Sequence, residues 1–121
     1  LNITAIFTLE QIKEIMECIK NTETILSVFA GRIYDIGIDA HAKFNEISEY
    51  VHRNSKCKVL WASCRMPYDY QKAKSCNADI ITMAPEMIKK MKLFGKEPKD
   101  YSRDTVVGFY EDSTKAGFKI D

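Results

Sequence analysis

Long hydrophobic runs are missing from this 121-residue chain. Nothing approaches the roughly 20 consecutive apolar residues that span a bilayer, and no basic segment leads into an apolar stretch at the N-terminus. Membrane insertion is set aside, and a soluble, cytosolic protein is expected. Charge of one sign is missing too: 18 basic residues stand against 17 acidic ones. No global field therefore draws in nucleic acid or an anionic membrane. The four cysteines, Cys18, Cys57, Cys64 and Cys76, form no C-x-x-C pair, and His41 and His52 are the only histidines. Neither a zinc site nor a redox motif is indicated, reduced thiols are expected, and no metal or other cofactor is called for. What is present is 45% apolar and 29% charged, enough for one modest core, so residues 1–121 are read as a single domain.

The chain opens in a strand-like run, Leu1-Asn-Ile-Thr-Ala-Ile-Phe7, without an initiator Met, which reads as a chain cut at an element boundary. Thr8-Leu-Glu-Gln11 then matches a capping box, and Ile12, Ile15, Met16 and Ile19 fall on one helical stripe. A second strand is predicted over Thr24–Ala30, ending at Gly31, and a second helix over Asp39–Arg53 with Phe44, Ile47 and Val51 on one side. Lys58–Ser63 reads as a third strand, Pro67–Cys76 as a helix and Asp79–Met83 as a fourth strand. Pro85 suits the first turn of a helix to about Met91, and a last helix is predicted from Ser102 to Lys115.

Strands alternating with helices imply a parallel sheet, hence the α/β class. Periodicity leaves open whether that sheet closes into a barrel or stays an open doubly wound sheet. Both architectures put their chemistry at the C-terminal ends of strands, where this chain carries Asn2 and Thr4, Ser27 and Phe29, and Trp61, Ser63 and Arg65, each set on one face by alternation. Arg32 follows from the loop after the second strand. If these faces converge, they make a polar, cationic pocket without a carboxylate. Guanidinium groups grip phosphate oxygens while hydroxyls and amides bond sugar hydroxyls, so a phosphorylated polyol is the ligand class expected.

Three segments carry a family resemblance. Asn2-Ile-Thr4-Ala-Ile-Phe resembles the N-x-T-x-x-F of the fifth strand of transaldolases, Ser27-Val-Phe-Ala-Gly-Arg32 their sixth-strand S-x-F-x-G-R, and Ala62-Ser-Cys-Arg65 their seventh-strand A-S-F-R. Asp79-Ile-Ile-Thr82 is similar to the eighth strand, and the stretch around Val107-Gly-Phe-Tyr-Glu to the closing helix region. The resemblance implies four β-α units forming the C-terminal half of a (β/α)8 barrel, plus a C-terminal helix. It implies transfer of a dihydroxyacetone unit between sugar phosphates through a lysine Schiff base, with no cofactor. Asn2 and Thr4 would contact substrate or the catalytic water, Ser27 and Phe29 would line the sugar site, and Arg32, Ser63 and Arg65 would hold the phosphate.

The Schiff-base lysine belongs to the family's fourth strand, and none of the fourteen lysines here replaces it. Lys58 comes closest, at the start of a strand and so at the opposite end. No catalytic residue is therefore expected within this chain. Implied partners are sugar phosphates, a ketose donor and an aldose phosphate acceptor, together with an N-terminal half-barrel or another copy in a homo-oligomer. Two other readings stay open: a fructose-6-phosphate aldolase-like enzyme, whose branch carries tyrosine where Phe29 stands, and a non-catalytic sugar-phosphate binder. Trp61 is expected to fill the barrel, and His41 and His52 to be solvated helix residues.

Overall fold

The computed structural model describes residues 1–115. They fall into two compact units, Leu1–Met91 and a second from Lys92 onward. The first contains β1 (Asn2–Ile6), α1 (Leu9–Ile19), β2 (Ile25–Phe29), α2 (Ala30–Asp35), α3 (Ala40–Asn54), β3 (Lys58–Ala62), α4 (Asp69–Ser75), β4 (Ile80–Ile81) and α5 (Pro85–Lys90), the last running into a 3-10 turn at Met91–Leu93. The second contains α6 (Pro98–Lys115). Among the described residues no helix is long and apolar enough to cross a membrane.

Helix starts follow local chemistry. Thr8 Oγ1 accepts from the Gln11 N–H at 3.2 Å while Gln11 Oε1 accepts from the Thr8 N–H at 3.0 Å, completing the capping box. Asp39 Oδ1 accepts from the N–H groups of His41 and Ala42, and Pro85 occupies the first turn of α5. The apolar stripes then find their core: Ile12, Met16 and Ile19 of α1 and Phe44, Ile47 and Val51 of α3 are all buried.

The strands are parallel and lie in the order β1-β2-β3-β4. Because crossovers between parallel strands are right-handed, an order that never reverses sends every crossover helix to the same face. A doubly wound sheet reverses at a switch point and covers both faces. Burial agrees with the one-sided winding. Leu26, Val28, Val59 and Trp61 have no exposed surface, whereas on the alternate face Ile25, Phe29 and Ala62 are half-buried and only Ser27 and Leu60 are buried. The chain is thus α/β, with four β-α units wound as in a (β/α)8 barrel and a helix after them.

Several boundaries differ from expectation. A helix, α2, follows β2 without a loop, so Arg32 stands on a helix. Gly31, expected just beyond the second strand, is buried inside α2. Trp61 does not fill the barrel face: its register partner is Val28, and its ring packs on Phe44 of α3 with centroids 5.0 Å apart. It belongs to the layer between sheet and helices. The third strand ends at Ala62, one residue early, because Ser63 takes the left-handed conformation with φ 65°. The alternation that joined Trp61 to Ser63 and Arg65 is broken there. At the edge of the sheet β4 has two residues, α4 begins at Asp69, and α6 opens at Pro98 rather than Ser102.

Candidate functional site

On the uncovered face, β1 and β2 supply the polar pair. Ser27 is 3% exposed, and its Oγ donates to Asn2 Oδ1 at 2.7 Å. Asn2 is the first residue of β1, level in register with Ile25 and, one strand further, Lys58. It therefore lies deeper along the strands than the C-terminal position expected of it. Thr4 is exposed just before a bulge: Ile3 pairs with Leu26 and Ile6 with Val28, so β1 carries one extra residue, and Ala5 sits at φ 58°. Beyond the bulge Phe7 meets Phe29, the last residue of β2, with ring centroids 6.3 Å apart. An apolar wall thus adjoins the Asn2–Ser27 pair.

The cationic part is built where α2 meets the turn after β3. A Cβ added at Gly31 would lie 1.7 Å from the Ser63 carbonyl oxygen and 2.9 Å from Ser63 Oγ, so only glycine permits this approach. Arg32 follows directly, is exposed, and makes no ion pair among the described residues. Arg65 is held twice. Its N–H donates at 2.8 Å to Oδ2 of Asp69, a carboxylate with no exposed surface, and its Nη2 donates at 2.5 Å to Asp35 Oδ2. Asp69 Oδ2 also accepts from the Met66 N–H at 3.4 Å, fixing the turn. Among the described residues its Oδ1 makes no hydrogen bond, and Lys72 Nζ stands 3.8 Å away as a counter-charge.

The pocket without a carboxylate is thereby corrected: Asp35 sits directly on Arg65. Asp35 and Asp69 carry no signal in the sequence pattern, although Asp35 lies three residues after Arg32 and Asp69 opens the helix after Pro67, while Gly31 and Phe7 enter it only as a strand end and as parts of family motifs. Burial, and then the charge of Asp69, push the Cys64 thiol up to about 11, so at neutral pH it is a filler rather than a nucleophile. Both histidines stand on α3 as expected, but neither is simply solvated. His41 Nε2 bonds Ser75 Oγ at 2.9 Å and His52 Nε2 bonds Asp79 Oδ2 at 2.7 Å, with no link to the residues above. A cavity of about 590 Å3, lined by Tyr34, His41, Tyr68 and Lys72 among others, contains none of the expected site residues. Among the described residues no three His, Cys, Asp or Glu side chains gather as a metal site.

Chemically the arrangement offers hydroxyl and amide groups on one sheet face and guanidinium donors at the strand exits, groups able to hydrogen-bond hydroxyls and anions. It offers no amine there. Among the described residues Lys58 is the one lysine on a strand, and it is the first residue of β3; Lys119 lies outside the described residues. Compared with families of known proteins, residues 1–121 match the one described as Transaldolase/Fructose-6-phosphate aldolase. No curated protein matches the chain.

Proposed function

Given that the chain belongs to the transaldolase/fructose-6-phosphate aldolase family, we propose that it supplies the sugar-phosphate-binding side of a transaldolase site. The observation carrying this reading is the pairing of Ser27 Oγ with Asn2 Oδ1 on the open sheet face, one strand from an Arg65 held at its backbone and its guanidinium. Asn2, Thr4 and Ser27 orient sugar hydroxyls; Arg32, Ser63 and Arg65 take the phosphate. The covalent step is a Schiff base: an amine adds to the ketose carbonyl with loss of water, the aldol bond breaks to release an aldose phosphate, and the three-carbon enamine attacks the acceptor aldehyde. That amine must come from a further segment or another chain. The outer edge of β1 is where such a partner would add, since an unpaired strand edge presents free N–H and C=O groups. A second copy in a homo-oligomer is the other occupant of that edge.

Phe29 favours transfer over simple cleavage. Its ring, against Phe7, brings no proton to the enamine, whereas a tyrosine there would add a general acid. The lack of a lysine at any C-terminal strand end among the described residues favours a second reading, a non-catalytic sugar-phosphate binder. Borohydride trapping separates the two in outcome. The 121-residue chain, incubated with dihydroxyacetone, is expected to gain no adduct alone and to bind fructose 6-phosphate at least tenfold more tightly than fructose. Mixed with a chain carrying the strand-four lysine, it should support adduct formation on that chain. Equal affinity for the two sugars, or an adduct on Lys58, overturns the proposal; failure to support an adduct leaves the binder.

A further inference from the structure

We propose that Asp35 is the positioning residue for Arg65, holding the guanidinium in the orientation that receives an anion; this rests on the phosphate-binding reading of Arg65 given above. An arginine at a chain turn has two separate freedoms, that of its backbone and that of a long side chain with many rotamers. Asp69 removes the first. It is fully buried and accepts from the Arg65 N–H at 2.8 Å and the Met66 N–H at 3.4 Å, so the backbone origin of the side chain is fixed. Asp35 removes the second by accepting from Nη2 at 2.5 Å. That contact uses one of the five guanidinium N–H donors. No acceptor for the others is found among the described residues, so they stay available for a bidentate anion.

The anchor is tied to the same turn. Asp35 closes α2, whose other end is set by the approach of Gly31 to the Ser63 carbonyl. The turn bearing Ser63 and Arg65 and the helix bearing Arg32 and Asp35 are thus joined at two points, by backbone packing and by an ion pair. Both partners of the pair remain about half exposed, 43% for Arg65 and 55% for Asp35. An exposed pair of this kind contributes little to folding, so its removal is expected to act on the site more than on the fold.

Charge and positioning predict opposite signs, which makes the inference decidable. Removing a carboxylate beside a cationic site strengthens anion binding if only charge matters. Loss of orientation weakens it, because the arginine must then be ordered by the ligand. The probe is inorganic phosphate titrated into the full 121-residue chain, followed by the NMR signal of the Arg65 Nε–H and, separately, by the overall dissociation constant. Asp35→Ala is expected to weaken binding three- to tenfold and to collapse the Arg65 signal toward that of a free side chain. Asp35→Glu should recover part of both. The deficit should persist at 0.5 M salt, where exposed charges are screened. Unchanged or tighter phosphate binding by Asp35→Ala overturns the inference. Arg65→Ala separates its failure from that of the underlying reading: if that variant binds phosphate as the unaltered chain does, Arg65 is not in a phosphate site and the premise falls with it.

Discussion

Replacing Gly31 by alanine sets two effects of opposite sign against each other. In a helix interior, glycine to alanine gains up to about 1 kcal/mol from propensity alone. Against this, the new methyl group would stand 1.7 Å from the Ser63 carbonyl oxygen and 2.8 Å from its carbonyl carbon, where ordinary contact begins at 3.4 Å. The obstacle is backbone, so no rotamer relieves it. It is also fixed backbone, with Ser63 at φ 65° and the following turn bonded to buried Asp69. Separation demands that α2 withdraw by more than an ångström and give up the contact between Asp35 and Arg65. Overpacking of this kind costs about 1 to 3 kcal/mol, and more where backbone must move. With the propensity gain subtracted, a net loss of about 2 kcal/mol is expected. At a urea slope of about 1.3 kcal/mol/M, the unfolding midpoint falls by about 1.5 M. Trp61, fully buried in the same unit, reports the transition by fluorescence. The control is Gly108→Ala in α6, where nothing lies within 4 Å of the added atom and a gain of about 0.5 to 1 kcal/mol in helix stability is expected. A Gly31→Ala midpoint equal to or above that of the unaltered chain would show that the close approach is not what selects glycine.

Arg65→Ala should weaken binding of a phosphorylated sugar by about ten- to a hundredfold, the worth of a charge-assisted hydrogen bond, and leave affinity for its unphosphorylated counterpart unchanged; calorimetry that finds equal losses removes Arg65 from the phosphate site. Asn2→Ala strips the Ser27 hydroxyl of its acceptor, at a cost of about 1 kcal/mol, and a double-mutant cycle with Ser27→Ala should return a coupling of about 0.5 to 1.5 kcal/mol, near-zero coupling being the refuting result. Cys64, pushed up to about 11, stays a neutral thiol below that pH, so its alkylation by iodoacetamide should rise about tenfold per pH unit from 8 to 10; a plateau near pH 9 contradicts the burial and charge assigned to it.

Features whose signal is local were legible in the sequence. Thr8 and Gln11 predict their own hydrogen bonds, Asp39 caps α3 as its position suggests, and Pro85 opens α5. Four strands and their order along the chain follow from apolar runs between amphipathic stretches. What depended on register was not legible. Alternation shows that Trp61 faces away from Leu60, but only pairing with Val28 reveals which of the two faces that is. The left-handed Ser63 and the bulge at Ala5 both interrupt alternation, and neither residue is the glycine or asparagine that usually announces such backbone. Gly31 misled because its reason lies 32 positions away, in the Ser63 carbonyl. Of the site, the resemblance pointed to the hydroxyls and arginines, while the carboxylates that hold Arg65 emerge only once α2 is seen to lie beside the turn after β3.

At the opposite end of the strands, Asp79 Oδ2 receives both the His52 ring and the N–H of Val59, and His52 Nδ1 lies 3.3 Å from Ser48 Oγ. One carboxylate there ties a helix to the start of β3, from the position that opens the way into β4. Along β3 this separates two ends: the start of the strand is tied down by Asp79, and the turn after it carries Ser63 and Arg65. Among the described residues Ser48, His52 and Asp79 share no hydrogen bond with Arg65, Asp35 or Ser27, so the strand exits can be changed in a laboratory lineage, arginine by arginine, while the tie at Asp79 is left untouched. Under the proposed phosphate-binding reading, selection for a different anion is expected to accumulate its changes at residues 27 to 35 and 63 to 69 and to spare Ser48, His52 and Asp79.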